Sequence, residues 1–303
     1  MGRSASLAGL GSAVALVALA APVLAQVAPG YLVSPEWVEA NLANPAVVVL
    51  HVDGRRGAYE EGHLPGARFL DLNAIAWAGE PEVGTEMRTP AEIEAALEAA
   101  GVRDGQRVVV YGANPLAAAR AWMTLDVMGW GERASFLDGG LGAWRADGRA
   151  VTTEEPTFTP GSVTLSPRSG VMVDADWIHA RLEDPSVTLL DARPDDEYTG
   201  ADGGMGGRVH AGHIPGAYQL YWEKLVESRT VHRAHPREEL EALFSASGAA
   251  AGSTLVVYCM VGLRASYAYL VARMLGYDAK FYDGSWHDWG SRDLPYVSGP
   301  SRR

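Results

Sequence analysis

One cysteine, Cys259, and two lysines, Lys224 and Lys280, are all that the 303 residues hold of those types. A lone cysteine excludes an intramolecular disulfide and any cysteine-based zinc site, so stability must come from packing. The shortage of lysine, the formal net charge of −12 and the lack of any Lys/Arg cluster argue against a nucleic-acid partner, whose phosphates need a basic footprint. No acidic run is long enough for a disordered tail. Long apolar runs are also scarce. The one from Leu7 to Leu24 follows Arg3, the only charge before it, and Val23-Leu24-Ala25 offers a cleavage point before Gln26. This reads as a secretory signal peptide over residues 1–25. The competing reading is an uncleaved anchor, since roughly 17–25 apolar residues span a bilayer. The expectation is an exported protein of the bacterial periplasm, free of the membrane after signal cleavage and, with no cysteine near residue 25, not a lipoprotein.

The length suits about two domains, and an internal repeat shows where they are. Ser34-Pro35-Glu36-Trp37 and Asp174-Ala175-Asp176-Trp177 each cap a helix, expected to end near Leu42 and Leu182. Apolar strands follow at Val47 to Val52 and Val187 to Leu190. Asp53-Gly54-Arg55 then answers Asp191-Ala192-Arg193, and Gly62-His63-Leu64-Pro65-Gly66-Ala67 answers Gly212-His213-Ile214-Pro215-Gly216-Ala217. Helices from Pro90 to Gly101 and from Pro236 to Gly248 are followed by strands at Val108 to Tyr111 and Leu255 to Tyr258. Leu137-Asp138-Gly139-Gly140 matches Tyr282-Asp283-Gly284-Ser285. Strands alternating with helices imply parallel sheets flanked by helices, an α/β fold in two tandem domains. The expected boundaries are 30–151 for the first and 170–303 for the second. Residues 152–169, proline-rich and aperiodic, form a linker hugging the surface.

Cys259 stands where the second domain's strand Leu255 to Tyr258 hands over to a helix, in Cys259-Met260-Val261-Gly262-Leu263-Arg264-Ala265-Ser266. A helix start leaves its first N–H groups without partners, and a turn can converge them on an anion. Those amides, the helix dipole and the Arg264 charge favour a thiolate. Gly262 lets the turn close. A buried structural cysteine is the bland alternative. The first domain has Tyr111-Gly112 in place of Tyr258-Cys259, with neither Cys nor Arg in its loop.

A strand, a six-residue loop opening on Cys with Gly fourth and Arg last, and then a helix resembles the active-site loop of rhodanese-type sulfurtransferases. The likeness extends from about Tyr31 to about Pro295 and matches their tandem forms with an inactive N-terminal half. The resemblance implies that Cys259 carries a sulfane sulfur as a persulfide, cradled by the loop residues Met260, Val261, Gly262, Leu263 and Arg264. It also implies ping-pong exchange between a small-molecule sulfur donor and a thiophilic acceptor, cyanide or a thiol, with no cofactor. Arg264 would hold the donor's sulfonate or keep the thiolate ionised. Four residues separate Cys259 from Arg264, one fewer than in phosphatases of the same general fold, which favours sulfur over phosphate. Two departures weaken the thiosulfate pattern: Met260 where a basic residue is common, and Glu197 where some relatives place Arg. Met260-Val261 and Arg264 do not fit the 3-mercaptopyruvate sulfurtransferase pattern either, which stands as an alternative. Thiosulfate, or a similar persulfide or polysulfide donor, is the expected donor because Arg264 supplies charge for a dianion. A persulfide carrier that passes its sulfur to a protein acceptor is the reading from a different class.

Arg193, at a strand end where such folds bind ligands, joins the substrate-binding candidates. Asp191 and Arg193 have counterparts in Asp53 and Arg55 of the other half, which makes a shared structural ion pair the preferred reading. Trp286, His287 and Trp289 are candidates for lining a pocket between the domains, with packing preferred for Trp289 because Trp144 repeats it. His63 and His213 recur in both halves, so a turn role is preferred over general-base catalysis. Tyr59 and Tyr198 read as core.

Overall fold

Valine-rich runs with no polar alternation, such as Val47-Val48-Val49-Leu50, Val108-Val109-Val110 and Leu255-Val256-Val257, suit strands covered on both faces, as in parallel sheets. The computed structural model describes residues 1–2, 30–76, 86–250 and 252–302. The signal-peptide expectation therefore falls outside the described residues. Among the described residues no helix is long and apolar enough to cross a membrane.

Two five-stranded parallel sheets form. The first comprises β1 (Leu32–Val33), β2 (Val47–Asp53), β3 (Arg68–Asp71), β4 (Arg107–Tyr111) and β5 (Ala134–Leu137) in the order β1-β5-β4-β2-β3. The second comprises β6 (Met172–Val173), β7 (Val187–Asp191), β8 (Tyr218–Gln219), β9 (Thr254–Tyr258) and β10 (Asp278–Tyr282) in the equivalent order β6-β10-β9-β7-β8. The helix after β6 is shorter than expected, Ala175–His179, because the chain tightens into a turn in which Arg181 N–H bonds the Ile178 carbonyl. Residues 152–169 are tied along the first half: Gly161 N–H bonds the Glu98 carbonyl at 2.7 Å, Ser166 N–H that of Met128 at 3.0 Å, and Trp130 Nε1 donates to the Thr164 carbonyl.

The halves meet through the helices Pro115–Val127 and Leu263–Leu275, which follow β4 and β9. Both are buried nearly all round, as their apolar composition requires. Trp122, Phe136, Tyr267 and Tyr269 join one apolar cluster that runs through both halves. Asp126 fastens the contact, accepting from Tyr269 Oη at 2.6 Å and Arg273 Nε at 3.1 Å.

One buried group makes the fold acid-sensitive. His51 is fully buried between Tyr59 and Tyr111, and neither ring nitrogen has a hydrogen-bond partner. Burial, reinforced by His63 and Arg145, holds its pKa down to about 4 from 6.5. The unfolded chain thus binds a proton more readily, so stability is fully present above pH 6.5 and is lost as pH falls towards 4. Such a shift corresponds to about 3 kcal/mol. In denaturant titrations across this range, His51→Leu should flatten the acid limb, with His213, also lowered by burial, supplying part of what remains. An unchanged slope would show that His51 does not titrate there.

Candidate active site

β9 is the middle strand of its sheet, and Cys259 follows its last residue at the C-terminal edge, where such sheets place ligands. The side chain is fully buried. Its Sγ accepts a hydrogen bond from Gly262 N–H at 3.1 Å, the residue that opens the helix Leu263–Leu275. Gly262 has φ +92°, a conformation that other residues enter only with strain. The loop is clasped from β10's side. Cys259 N–H donates to Ser285 Oγ at 3.2 Å, Trp286 N–H to the Cys259 carbonyl at 2.9 Å, and His287 N–H to the Met260 carbonyl at 2.9 Å. Ser285, which sequence reasoning missed, has φ +52° without being glycine. The first half has Gly140 at the same φ, so strain is accepted at Ser285 where a hydroxyl meets the cysteine's own amide.

The first half lacks more than a thiol. Leu141 N–H bonds the Gly112 carbonyl just as Trp286 N–H bonds that of Cys259, so Gly112 stands at the cysteine position. A Cβ on Gly112 would come within 2.4 Å of the Val52 carbonyl oxygen. Backbone fills the space a side chain would need.

Strand register corrects the expected equivalence of Asp53 and Asp191. Tyr111 pairs with His51, whereas Tyr258 pairs with Asp191. The residue equivalent to Asp191 is therefore His51, and Arg193 corresponds to Asp53. The ion pair belongs to the cysteine-bearing half alone. Arg193 and Asp191 are both fully buried, with Nε–Oδ1 at 2.9 Å and Nη2–Oδ2 at 2.6 Å, and Arg193 Nη2 also reaches the Gly212 carbonyl at 2.8 Å. The guanidinium packs on the Trp286 ring at 4.8 Å. Burial opposes its charge, but Asp191 more than compensates and raises its pKa. Arg55, by contrast, is exposed.

The remaining candidates divide. Arg264 reaches back from the loop to Glu197, with Nη1–Oε1 at 2.6 Å and Nη2–Oε2 at 2.7 Å, and both side chains are about 20% exposed. Burial works against its charge, yet Glu197, Cys259 and Asp191 together raise its pKa. Its charge is shared between carboxylate and thiol rather than presented whole to a ligand. Met260 packs with Tyr258, Trp286 and Trp289 in an apolar cluster, and Val261 lies against the same cluster half-buried. Leu263 is also half-buried. Trp286 corrects its pocket expectation: it is fully buried, with Nε1 donating to the His210 carbonyl. Trp289 is core, as its repeat in Trp144 implies, and His287 is half-buried. His63 and His213 stack on Tyr59 and Tyr198 at 3.7 Å, with both ring nitrogens against main-chain carbonyls. Those contacts fit the turn role. Among the described residues no cluster of His, Cys, Asp and Glu could hold a metal ion.

Comparison with known proteins adds a family. The pattern of the rhodanese-like domain matches residues 34–147 and again 174–292. The sulfur carrier protein TtuD of Thermus thermophilus is 33% identical, over 87% of this chain and 94% of that protein. A thiosulfate sulfurtransferase of Pseudomonas aeruginosa is 30% identical, over 87% and 96%. The solved structure of an anaerobic ergothioneine biosynthesis enzyme from Chlorobium limicola, bound to trimethyl histidine, superposes with a TM-score of 0.79 at 28% identity, covering 89% of this chain and 71% of that one.

Proposed function

The chain belongs to the rhodanese-like family and is a sulfurtransferase; we propose that Cys259 carries its sulfur and that thiosulfate, or a donor like it, loads the thiol. The observation that carries this reading is the Gly262 N–H aimed at Sγ from the start of a helix, a contact the first half cannot make. The thiolate attacks the outer sulfur of thiosulfate, the S–S bond breaks, and sulfite leaves with the electron pair. The persulfide formed on Cys259 is anionic at its outer sulfur, and a loop donor positioned beforehand stabilises it without reorganisation. A thiophilic acceptor, cyanide, a small thiol or a protein thiol, then attacks that outer sulfur and releases the Cys259 thiolate. Sulfite release from thiosulfate and cyanide, with intact-protein mass measured before cyanide is added, tests the scheme. Turnover with a gain of ~32 Da, one persulfide sulfur, is expected. Intact thiosulfate and no adduct would remove it as donor.

The Arg264–Glu197 pair favours a second reading, a carrier loaded by another persulfide, because a guanidinium already held by a carboxylate offers a dianion less attraction. Glu197→Gln should therefore lower the thiosulfate KM roughly fivefold with kcat nearly unchanged, the size expected of a partly exposed pair of about 1 kcal/mol. An unaltered KM would mean that Arg264 does not meet the donor.

We also propose export to the periplasm, supported by Arg3 and the apolar run Leu7 to Leu24. Fractionation with N-terminal sequencing tests it, and a protein retained in the cytoplasm with residues 1–25 intact would refute it.

A further inference from the structure

The half without a nucleophile reaches into the cysteine loop. Arg120, on the helix Pro115–Val127, is fully buried, and its Nη1 pairs with Asp283 Oδ1 at 2.6 Å. Asp283 Oδ2 accepts Met87 N–H at 2.8 Å, again from the first half. This pair lies against Gly262. A Cβ built there would stand 2.9 Å from Arg120 Nη1 and 3.1 Å from Asp283 Oδ1. Gly262 is the residue whose N–H meets the cysteine sulfur.

The repeat makes the arrangement directional. Arg120 and Tyr267 stand at equivalent positions, each nine residues after the tyrosine, Tyr111 or Tyr258, that ends its half's middle strand. Asp138 and Asp283 are likewise equivalent, and Asp138 Oδ1 accepts Ala234 N–H from the second half at 2.8 Å. Tyr267 is close enough to Asp138 for that carboxylate to help burial raise its pKa. Each half's helix thus addresses the other half's aspartate, but only towards the cysteine does it bring a cation.

We propose that Arg120 is a positioning residue for sulfur transfer, supplied by the inactive half, which holds Asp283 and the Gly262 peptide so that the loop keeps its donor on the sulfur of Cys259. The inference rests on the Cys259 reading. It assigns the first half a task in the reaction and makes the two halves inseparable in function. Arg120 faces Asp283 and acts on Glu86, whose pKa is raised by burial and by Asp283 and Asp288 against the opposing pull of Arg120 and His287, while the cysteine faces Arg264, which shares its charge with Glu197 and Asp191.

The test reads the thiol directly, through the rate of Cys259 alkylation by iodoacetamide against pH, beside sulfite release and thermal melting. Arg120→Met should slow alkylation roughly tenfold at neutral pH and displace the profile upward by about one unit, with Arg120→Lys recovering most of the rate. Because Arg120→Met strands Asp283, the double variant Arg120→Met/Asp283→Leu is measured too: it removes both charges and should melt near the wild type while its alkylation stays slow. A double variant that folds and alkylates like the wild type would overturn the proposal, as would an unmoved profile in Arg120→Met. Alkylation needs no sulfur donor. A wild type inert to thiosulfate would count against the donor reading alone, leaving the Arg120 test to be decided by its own readout.

Discussion

Cys259→Ser should abolish sulfur transfer and leave the fold standing. The loss of turnover should be about 10⁴-fold or more, the scale seen when a covalent nucleophile is removed. The hydroxyl is too weak an acid to furnish an anionic nucleophile at neutral pH, so the step that breaks the donor's S–S bond has no starting species. Structure changes little. Serine is smaller than cysteine, and its oxygen can still accept the Gly262 N–H that now meets Sγ. The surrounding clasp of Ser285, Trp286 and His287 onto the loop uses main-chain groups of Cys259 and Met260 that the substitution does not touch. The melting temperature should thus move by only a few degrees, about 1 kcal/mol for a conservative buried change. Sulfite release and intact mass decide the matter together. No other cysteine exists in the chain, so a sulfur adduct persisting in the serine variant would show that no thiol carries the sulfur.

The repeat was legible because near-identical segments such as Gly-His-Leu-Pro-Gly-Ala and Gly-His-Ile-Pro-Gly-Ala fix the same turn twice, and apolar runs between proline and glycine signals locate buried parallel strands. Cys259 was legible for a related reason: a strand, a short glycine-bearing loop and a helix are contiguous, so their geometry is written locally. What the sequence concealed is what the fold brings together from afar. Glu197 and Arg264 are 67 residues apart, and no local pattern says that the loop's cation is already paired. The likeness of Asp-Gly-Arg to Asp-Ala-Arg is out of register with the fold by two residues, since β2 runs two residues past His51, whereas β7 ends at Asp191 itself. Arg120 gave one signal that could have been used. A charged residue inside Leu-Ala-Ala-Ala-Arg-Ala-Trp-Met, an otherwise apolar helix, must find a buried partner. The partner, Asp283, belongs to the other half. Ser285 is subtler still, because only the observed positive φ separates it from an ordinary turn serine.

Asp191→Asn carries the largest expected cost in stability, about 3–5 kcal/mol, the range for removing one partner of a buried ion pair. Arg193 is fully buried, and three of its hydrogen bonds to Asp191 come from side-chain nitrogens. An asparagine would keep one acceptor but present an amide NH₂ to the guanidinium in place of the other oxygen, leaving a charge without its counterion. The first half shows that the fold does not require the pair. At the same position it holds His51, kept neutral by burial, with Asp53 in place of Arg193. The ion pair is thus a local solution, costly to halve and much cheaper to remove whole. Asp191→Leu/Arg193→Met should accordingly regain most of what the single variant loses, because no charge is stranded. Urea titrations of the three proteins settle this, with an unchanged m-value confirming that stability rather than the extent of unfolding has moved. A single variant losing under about 1 kcal/mol would mean that Arg193 finds another counterion or water when Asp191 is gone. Asp191 also pairs in register with Tyr258, the residue before the cysteine. That main-chain pairing survives the double variant, so any transfer defect in the folded double variant measures what the buried ion pair, and not the strand end itself, adds to holding the loop in place.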